Sequence, residues 1–286
     1  MKGHVIESDI ERLRDPFVLA ESGIYYMYGT GWVGYKSCGS LTAWTALEQP
    51  LAVTPPDCAG DRWAPEVHRY EGAYYMFTTY RSSATGHRGC TIMRSDSPEG
   101  PFVEITGGHI TPPDWDCIDG TFYVDREGRP WMVFVHEWTS TDDGVGRMAA
   151  AQLSKDLTRL ITEPVELFRA DGPPWAAAGV TDGCFLYTAQ DGGLIMTWSN
   201  FDRDGYCVAV ARSSNGSLDG RWIHDEAPLY SQKTWGTYDG GHAMVFTGFD
   251  GRMYLAMHSP NTPVDGRMEK PVFIPVEEKD GSLVLA

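Results

Sequence analysis

No stretch of this chain is long and apolar enough to suggest a membrane span, since no window approaches the ~18 apolar residues that one needs. Basic runs are equally missing. Lysine and arginine number 23 against 39 acidic residues, a formal charge of −16. A nucleic-acid binder needs a cationic face to displace counterions from phosphate. Nucleic acid and anionic membranes are therefore poor expectations as partners, and a neutral or cationic ligand fits better. The six cysteines (Cys38, Cys58, Cys90, Cys117, Cys184 and Cys207) include no C-x-x-C pair, so neither a zinc knuckle nor a thioredoxin-type site is signalled. The opening segment MKGHVIESDIERLRDP has no apolar core of the signal-peptide kind. Reduced thiols and a cytoplasmic location are the resulting expectations. Amphipathic helical periodicity is nearly absent too, the best candidate being a turn or so around 155–160.

What the chain does have is an internal repeat, the signature of radial or solenoid architectures. Five segments open on a polar residue, run into a short apolar strand, turn at a glycine and return through an aromatic-rich strand. They are DPFVLAESGIYYMYGT from Asp15, PEVHRYEGAYYMFTTY with Glu66 at its opening, DGTFYVDREGRPWMVFVH from Asp119, DGCFLYTAQDGGLIMTWS from Asp182 and HAMVFTGFDGRMYLAMHS from His242. The Ser-Gly, Glu-Gly, Asp-Gly-Gly and Asp-Gly turns are hairpin signals. The spacing is that of four-stranded blades, and the expectation is an all-β chain folded as one five-bladed β-propeller domain over 1–286. A β-sandwich also has many short strands, but it does not predict five equivalent hairpins.

In a propeller the first strand of each blade lines the central channel. Asp15, Glu66, Asp119, Asp182 and His242 are thus expected around one axis. Any one of the aspartates alone reads as a turn residue, because Asp-Pro and Asp-Gly are common turn pairs. Four carboxylates at shared positions are another matter. Crowded like charges raise one another's pKa values, so function explains them better than stability does. Paired carboxylates across a cleft are the equipment of glycoside hydrolysis, one protonated to serve the leaving oxygen and one ionised to activate water or attack carbon. Trp32, Trp63, Trp115, Trp138 and Trp235 stand near blade ends or loops, where flat rings can stack on sugars.

The ordered set R-D-P-F-V-L at 14–19, W-A-P-E-V at 63–67, S-D-S-P-E-G-P-F at 95–102, I-D-G-T-F at 118–122, V-T-D-G-C-F-L-Y at 180–187 and G-G-H-A at 240–243 resembles family 43 glycoside hydrolases. The resemblance implies a general base at Asp15, a carboxylate at Asp119 that modulates and orients the acid, and an axial histidine at His242. That histidine, as a ligand largely through water, is expected to help hold calcium or another cation, although no cofactor is required for the chemistry. Glu66 and Trp63 fall in a segment expected to line the sugar pocket, and Trp115 is a further stacking candidate. One departure stands out. The family's acid is a Glu in a V-T-E-G-P-type segment, whereas Asp182 and Cys184 stand here in place of its Glu and Pro. Glu137, in V-F-V-H-E-W at 133–138, is the alternative acid, although its place late in a second strand puts it far from the axis.

The function implied is an inverting, exo-acting hydrolase of terminal pentose on plant-derived oligosaccharides, α-L-arabinofuranosyl first and β-D-xylosyl second. Two alternatives remain. A carbohydrate-binding propeller would have kept the pocket and lost the acid. A related glycosidase or phosphorylase would act on another sugar, and phosphorolysis would need a basic pocket, for which Arg14, Arg81, Arg88 and Arg212 are the candidates. Oligomeric state is not legible.

Overall fold

The structure is a computed structural model and describes residues 4–286. Among these residues 21 strands form five antiparallel sheets, and there is no helix. Blade one comprises β2 (Phe17–Glu21), β3 (Ile24–Gly29), β4 (Val33–Ser37) and β5 (Thr45–Ala46). Blade two comprises β6 (Cys58–Tyr70), β7 (Ala73–Ser82), β8 (Arg88–Ser95) and β9 (Val103–Glu104). Blade three comprises β10 (Cys117–Val124), β11 (Pro130–His136), β12 (Arg147–Gln152) and β13 (Val165–Arg169), and blade four β14 (Asp182–Thr188), β15 (Leu194–Asp202), β16 (Gly205–Ser213) and β17 (Trp222–His224). The expected five-bladed propeller is what the chain forms.

Blade five closes the ring. Its inner strands are β18 (Gly241–Thr247), β19 (Met253–Ser259) and β20 (Lys270–Lys279). Its outer edge is shared by the two ends of the chain. β1 (Ile6–Glu7) pairs with β20 at Phe273 and Val272, and β21 (Ser282–Leu285) pairs with it from Val276 to Lys279. The last sheet is thus completed by strands that precede blade one and follow β20, which ties the segment leading into the first blade to the last blade.

Apolar side chains fill the seams between blades. Phe77, Ile92, Met132 and Phe134 pack between blades two and three. Val133, Met148, Met196 and Trp198 join three to four. Ile195, Val208, Val245 and Leu255 join four to five. Blade one packs both ways, with Phe17, Met27 and Tyr28 in one cluster with Met76 and Phe102 of blade two and Phe246 and Phe273 of blade five. The six cysteines are unpaired; Cys90, Cys117 and Cys184 are buried in these seams, and Cys207 is buried within blade four.

The innermost strands share a defect that the repeat alone does not reveal. In blades two to five the pairing slips at an equivalent place, between Trp63 and Glu66, Ile118 and Thr121, Asp182 and Phe185, and Gly241 and Met244, and blade two slips twice more upstream. Each of the equivalent slips is a β-bulge, two residues facing one on the partner strand. Its first residue is left-handed: Ala64 (φ 41°), Asp119 (56°), Gly183 (54°) and His242 (47°), with Asp15 (54°) in the same place in blade one. Asp and His tolerate this region better than most residues. In blade four only glycine fits, because a Cβ at Gly183 would lie 2.8 Å from the Cα of His242.

Each of these strained residues is pinned by the blade before it. The N–H of Ala64 donates to Thr30 Oγ1 at 3.0 Å, that of Asp119 to Thr79 Oγ1 at 3.0 Å, that of His242 to Ser199 Oγ at 2.8 Å and that of Asp15 to His258 Nδ1 at 3.2 Å. The equivalent position in blade three is Val135, paired with Ile118, which has no acceptor. The N–H of Gly183 donates instead to Asp119 Oδ2 at 2.9 Å. Thr79 is fully buried, so Thr79→Val strands the Asp119 N–H in the core. It is expected to destabilise the fold by about 1–3 kcal/mol, the cost of an orphaned buried donor, whereas Thr79→Ser retains most of the stability. Urea denaturation of the two variants measures this, and equal stability for both would show that the inter-blade bond contributes nothing.

Candidate active site

The bulge defines two rings around the axis. Asp15, Ala64, Asp119, Gly183 and His242 form the left-handed ring. The residues just before them, Arg14, Trp63, Ile118, Asp182 and Gly241, form the ring above. A cavity of about 380 Å³ opens on this level and is lined from all five blades. Its walls are Arg14, Asp15, Thr30, Trp63, Ile118, Asp119, Glu137, Trp138, Asp182, Tyr206 and His242.

Asp15, Asp119, Asp182 and His242 therefore meet in one cavity, as the repeat implies. The alignment of the repeat is corrected at two points. Glu66 is two residues past the left-handed Ala64, level with Phe17, Thr121, Phe185 and Met244 rather than with Asp15. It is buried away from the cavity lining, with Oε2 2.9 Å from His68 Nε2. Asp182 precedes its blade's left-handed residue, so it belongs to the upper ring, where the side chain faces the cavity from a different level than Asp15 and Asp119.

The tryptophans separate in the same way. Trp63 and Trp138 line the cavity. Trp115, expected to bind substrate, lies elsewhere: it stacks flat on His136 at 3.8 Å and borders two other depressions. Trp32 is a buried residue whose indole N–H donates to Thr78, and Trp235 packs against the blade-five cluster. Glu137, placed far from the axis on sequence grounds, is in fact a cavity residue, because it directly follows the end of β11 at the cavity wall. Arg88 holds both its oxygens at 2.7 and 2.8 Å and lies over the ring of Trp63 at 5.3 Å. Burial outweighs this pairing and moves the Glu137 carboxyl above its ordinary range.

The charges in the cavity are sorted by their neighbours. For Asp15 the largest effect is burial, which favours the neutral form, but it is overcome by His242, His258, Arg14 and the Thr30 hydroxyl, and the pKa is lowered. His242 Nδ1 stands 3.5 Å from Asp15 Oδ1 and 3.5 Å from Asp119 Oδ2, while His258 Nδ1 is 3.3 Å from Asp15 Oδ1. Asp119 is pushed up to about 6 by burial, against the pull of His242 and with repulsion from Asp15. Asp182 lies well above the carboxylate range, first through burial and then through repulsion from Asp119. The Tyr206 hydroxyl donates to its Oδ2 at 3.0 Å. His242 is raised because Asp119, Asp15, Asp182 and Glu66 outweigh its burial. His258, fully buried, is pushed down to about 3 and stays neutral. The surroundings thus favour an ionised Asp15 beside a cationic His242, and the neutral form of Asp182.

Among the described residues no three His, Cys, Asp or Glu side chains converge as direct metal ligands. Nδ1 of His242 is already shared between two carboxyls. A protonated His242 has no free lone pair, so a cation at the axis would touch it only through water of its hydration shell, or through the remaining imidazole nitrogen once His242 is neutral. The four arginines considered for a phosphate pocket are each paired with carboxylates: Arg14 with Glu269, Arg81 with Asp61, Arg88 with Glu137 and Arg212 with Asp225. They offer no free cationic cradle.

Signals for the residues missed by sequence reasoning are faint. Thr30, Tyr206 and His258 come from second and third strands, and nothing local distinguishes them from sheet residues. Replacing Asp119 by Asn removes the main like-charge repulsion on Asp182 while retaining an acceptor for the Gly183 N–H. The Asp182 titration is then expected to move to lower pH, since Asp119 acts on it more strongly than the opposing His242. Carboxyl carbon NMR of the two proteins reads this directly, and an unmoved Asp182 midpoint would refute the coupling.

Comparison with known proteins places this geometry. A crystal structure described as an endo-arabinase from Bacteroides thetaiotaomicron VPI-5482 is 39% identical, with 97% of this chain and 98% of that chain covered and a TM-score of 0.85. The extracellular endo-alpha-(1->5)-L-arabinanase 1 of Bacillus subtilis (strain 168) is 26% identical over 149 residues, 45% of each chain, so the match spans less than half of that relative's own length. The extracellular exo-alpha-(1->5)-L-arabinofuranosidase of Streptomyces chartreusis is 24% identical over 229 residues, 76% of this chain and 68% of the relative. The model of Glycosyl hydrolases family 43 matches residues 10–282, nearly the whole propeller, and the chain belongs to that family.

Proposed function

We propose that the protein hydrolyses α-L-arabinofuranosyl linkages with inversion, Asp15 acting as general base and Asp182 as general acid. One observation carries the assignment. Within a single cavity, one carboxyl is favoured in its ionised form by the His242 imidazolium, Arg14 and the Thr30 hydroxyl, while another is favoured in its neutral form by burial and a neighbouring carboxylate. Two titratable groups whose surroundings push them apart are the mark of an acid and a base. Asp15 takes a proton from water as the water oxygen attacks the anomeric carbon. Asp182 gives its proton to the glycosidic oxygen as the C–O bond breaks. Inversion leaves room for that water, with carboxyls roughly 6.5–9.5 Å apart. Asp119 keeps Asp182 neutral by repulsion and holds the following peptide through the Gly183 N–H. Glu137 is a poorer acid because both oxygens already accept from Arg88, so a proton there would break a two-pronged ion pair. It and Trp63 serve instead as substrate contacts on the cavity wall. A hydrated cation beside His242, when bound, would add positive charge that favours ionised Asp15.

The arabinosyl assignment rests on the printed names of the relatives. Exo action is supported by the cavity, which side chains from all five blades close laterally, so that a chain end is its natural guest. Endo action is the second reading, favoured by the two relatives named for endo cleavage. Linear arabinan separates them: monosaccharide as sole early product supports exo cleavage, and early mixed oligomers support endo cleavage.

The acid is tested by leaving group. Asp182→Ala is expected to abolish cleavage of natural oligosaccharides yet to spare part of the activity on activated aryl arabinofuranosides, because a phenolate leaves without protonation. Glu137→Ala gives no such contrast. Asp15→Asn lowers kcat by about 10²–10⁴ on both substrate types, as loss of a general base does. The contrast appearing in Glu137→Ala instead would reassign the acid. Failure of the wild-type protein to cleave any arabinoside or xyloside, with oligosaccharide binding intact, would make the propeller a carbohydrate-binding module.

A further inference from the structure

Tyr206 occupies a place in the cavity that the repeat reserves for blade five. Four blades contribute a side chain to the upper ring, from Arg14, Trp63, Ile118 and Asp182. Blade five contributes Gly241, which has none. The Tyr206 ring, reaching over from β16 of blade four, fills this gap: a Cβ on Gly241 would lie 2.6 Å from its Cδ1 atom. The ring is almost wholly buried, partly stacked on His258 at 5.9 Å, and its backbone N–H donates to Asp239 Oδ2 at 3.2 Å. Only the hydroxyl has work left, and it donates to Asp182 Oδ2 at 3.0 Å.

We infer that Tyr206 is the positioning residue that lets an aspartate serve as the acid in this protein, with Gly241 as the vacancy that admits it. The inference rests on the reading of Asp182 as the acid. An aspartate is one methylene shorter than the glutamate that the family resemblance expects, so its reach depends on how its carboxyl is turned. With Oδ2 accepting from the phenol, the transferable proton sits on Oδ1. That proton passes to the glycosidic oxygen, whose bond to the anomeric carbon breaks with the electron pair staying on oxygen. Asp182 is left as a carboxylate, and the same phenol hydrogen bond becomes charge-assisted at that moment. The phenol stays protonated throughout, since burial and then Asp182, Asp15 and Asp119 push it far above its usual range against a weaker pull from Arg14.

The sign of the pH effect follows. Asp182 is faced by Asp119, His242, Tyr206 and Asp15, and among these the Tyr206 hydrogen bond favours the ionised form. Removing it raises the Asp182 pKa, so the alkaline limb of kcat/KM, which reports loss of the acid's proton, moves to higher pH. The experiment compares Tyr206→Phe with wild type on natural arabino-oligosaccharides and on activated aryl arabinofuranosides across pH. Expected are a fall of roughly tenfold or more in kcat on the oligosaccharide, the size of one hydrogen bond to a charged group, little change on the aryl substrate, and an alkaline limb displaced upward. Gly241→Ala, whose Cβ crowds the ring and also stands 2.9 Å from the Ser199 Oγ that holds the His242 N–H, is expected to show the same leaving-group contrast. A fall that is equal on both substrates with an unmoved limb would mean that Tyr206 only packs, and would overturn the inference. If Asp182→Ala itself shows no leaving-group contrast, the acid assignment fails first, and that outcome is distinct from a Tyr206 failure.

Discussion

The site depends on a single backbone constraint, the left-handed bulge that opens the inner strand of each blade and the hydrogen bond that pins it from the neighbouring blade. A non-glycine residue pays about 1–2 kcal/mol to be left-handed. It persists at the axis because its N–H would otherwise be buried without a partner, and a threonine, serine or histidine one blade back accepts it. The bulge turns two consecutive side chains toward the channel from one strand, which an unbroken strand with its alternating faces cannot do. That is how Arg14 and Asp15, or Ile118 and Asp119, come to line the same cavity.

The exception in blade three links architecture to chemistry. Val135 cannot accept, so the Asp119 carboxylate takes the Gly183 N–H that a hydroxyl would otherwise hold. Asp119 thereby does structural and electrostatic work at once: it fixes the peptide that follows Asp182 and supplies the negative charge that keeps Asp182 neutral. His242 stands between Asp15 and Asp119 and favours the ionised form of both, but burial wins at Asp119 and loses at Asp15. The difference lies in Arg14 and the Thr30 hydroxyl, which favour the ionised form of Asp15, and in the repulsion that Asp15 and Glu66 exert on Asp119.

The acidic balance of the chain is also distributed with purpose around the cavity. Arg88 is surrounded by Glu137, Asp61 and Asp116, so its charge is spent on holding Glu137 and covering Trp63. A wall built this way is polar and leaves no arginine charge unpaired, which suits hydroxyl-rich sugar better than phosphate.

Five hairpins with glycine turns, separated by regular spacing, were enough to read the propeller, because hydrophobic period and turn chemistry are local properties of the chain. Asp15, Asp119 and His242 were legible for the same reason: each opens its own hairpin in a short motif. Glu66 was misplaced because a sequence repeat can be aligned one or two residues off, and only strand register shows which residue is left-handed; Trp115 was misplaced because standing in a loop does not say which way an indole turns, and it stacks on His136 instead. Glu137 was judged too remote because distance along a strand says nothing about where its end meets the axis. Tyr206, His258 and Thr30 had no local signal at all. They reach the site from second and third strands or from the next blade, and their roles exist only once the closed ring, completed by β1 and β21, sets one blade against another. The sequence by itself determined the repeat and its carboxylates; the tertiary structure decided which carboxyl is charged, because burial and the neighbours across a blade seam are properties of the assembled ring.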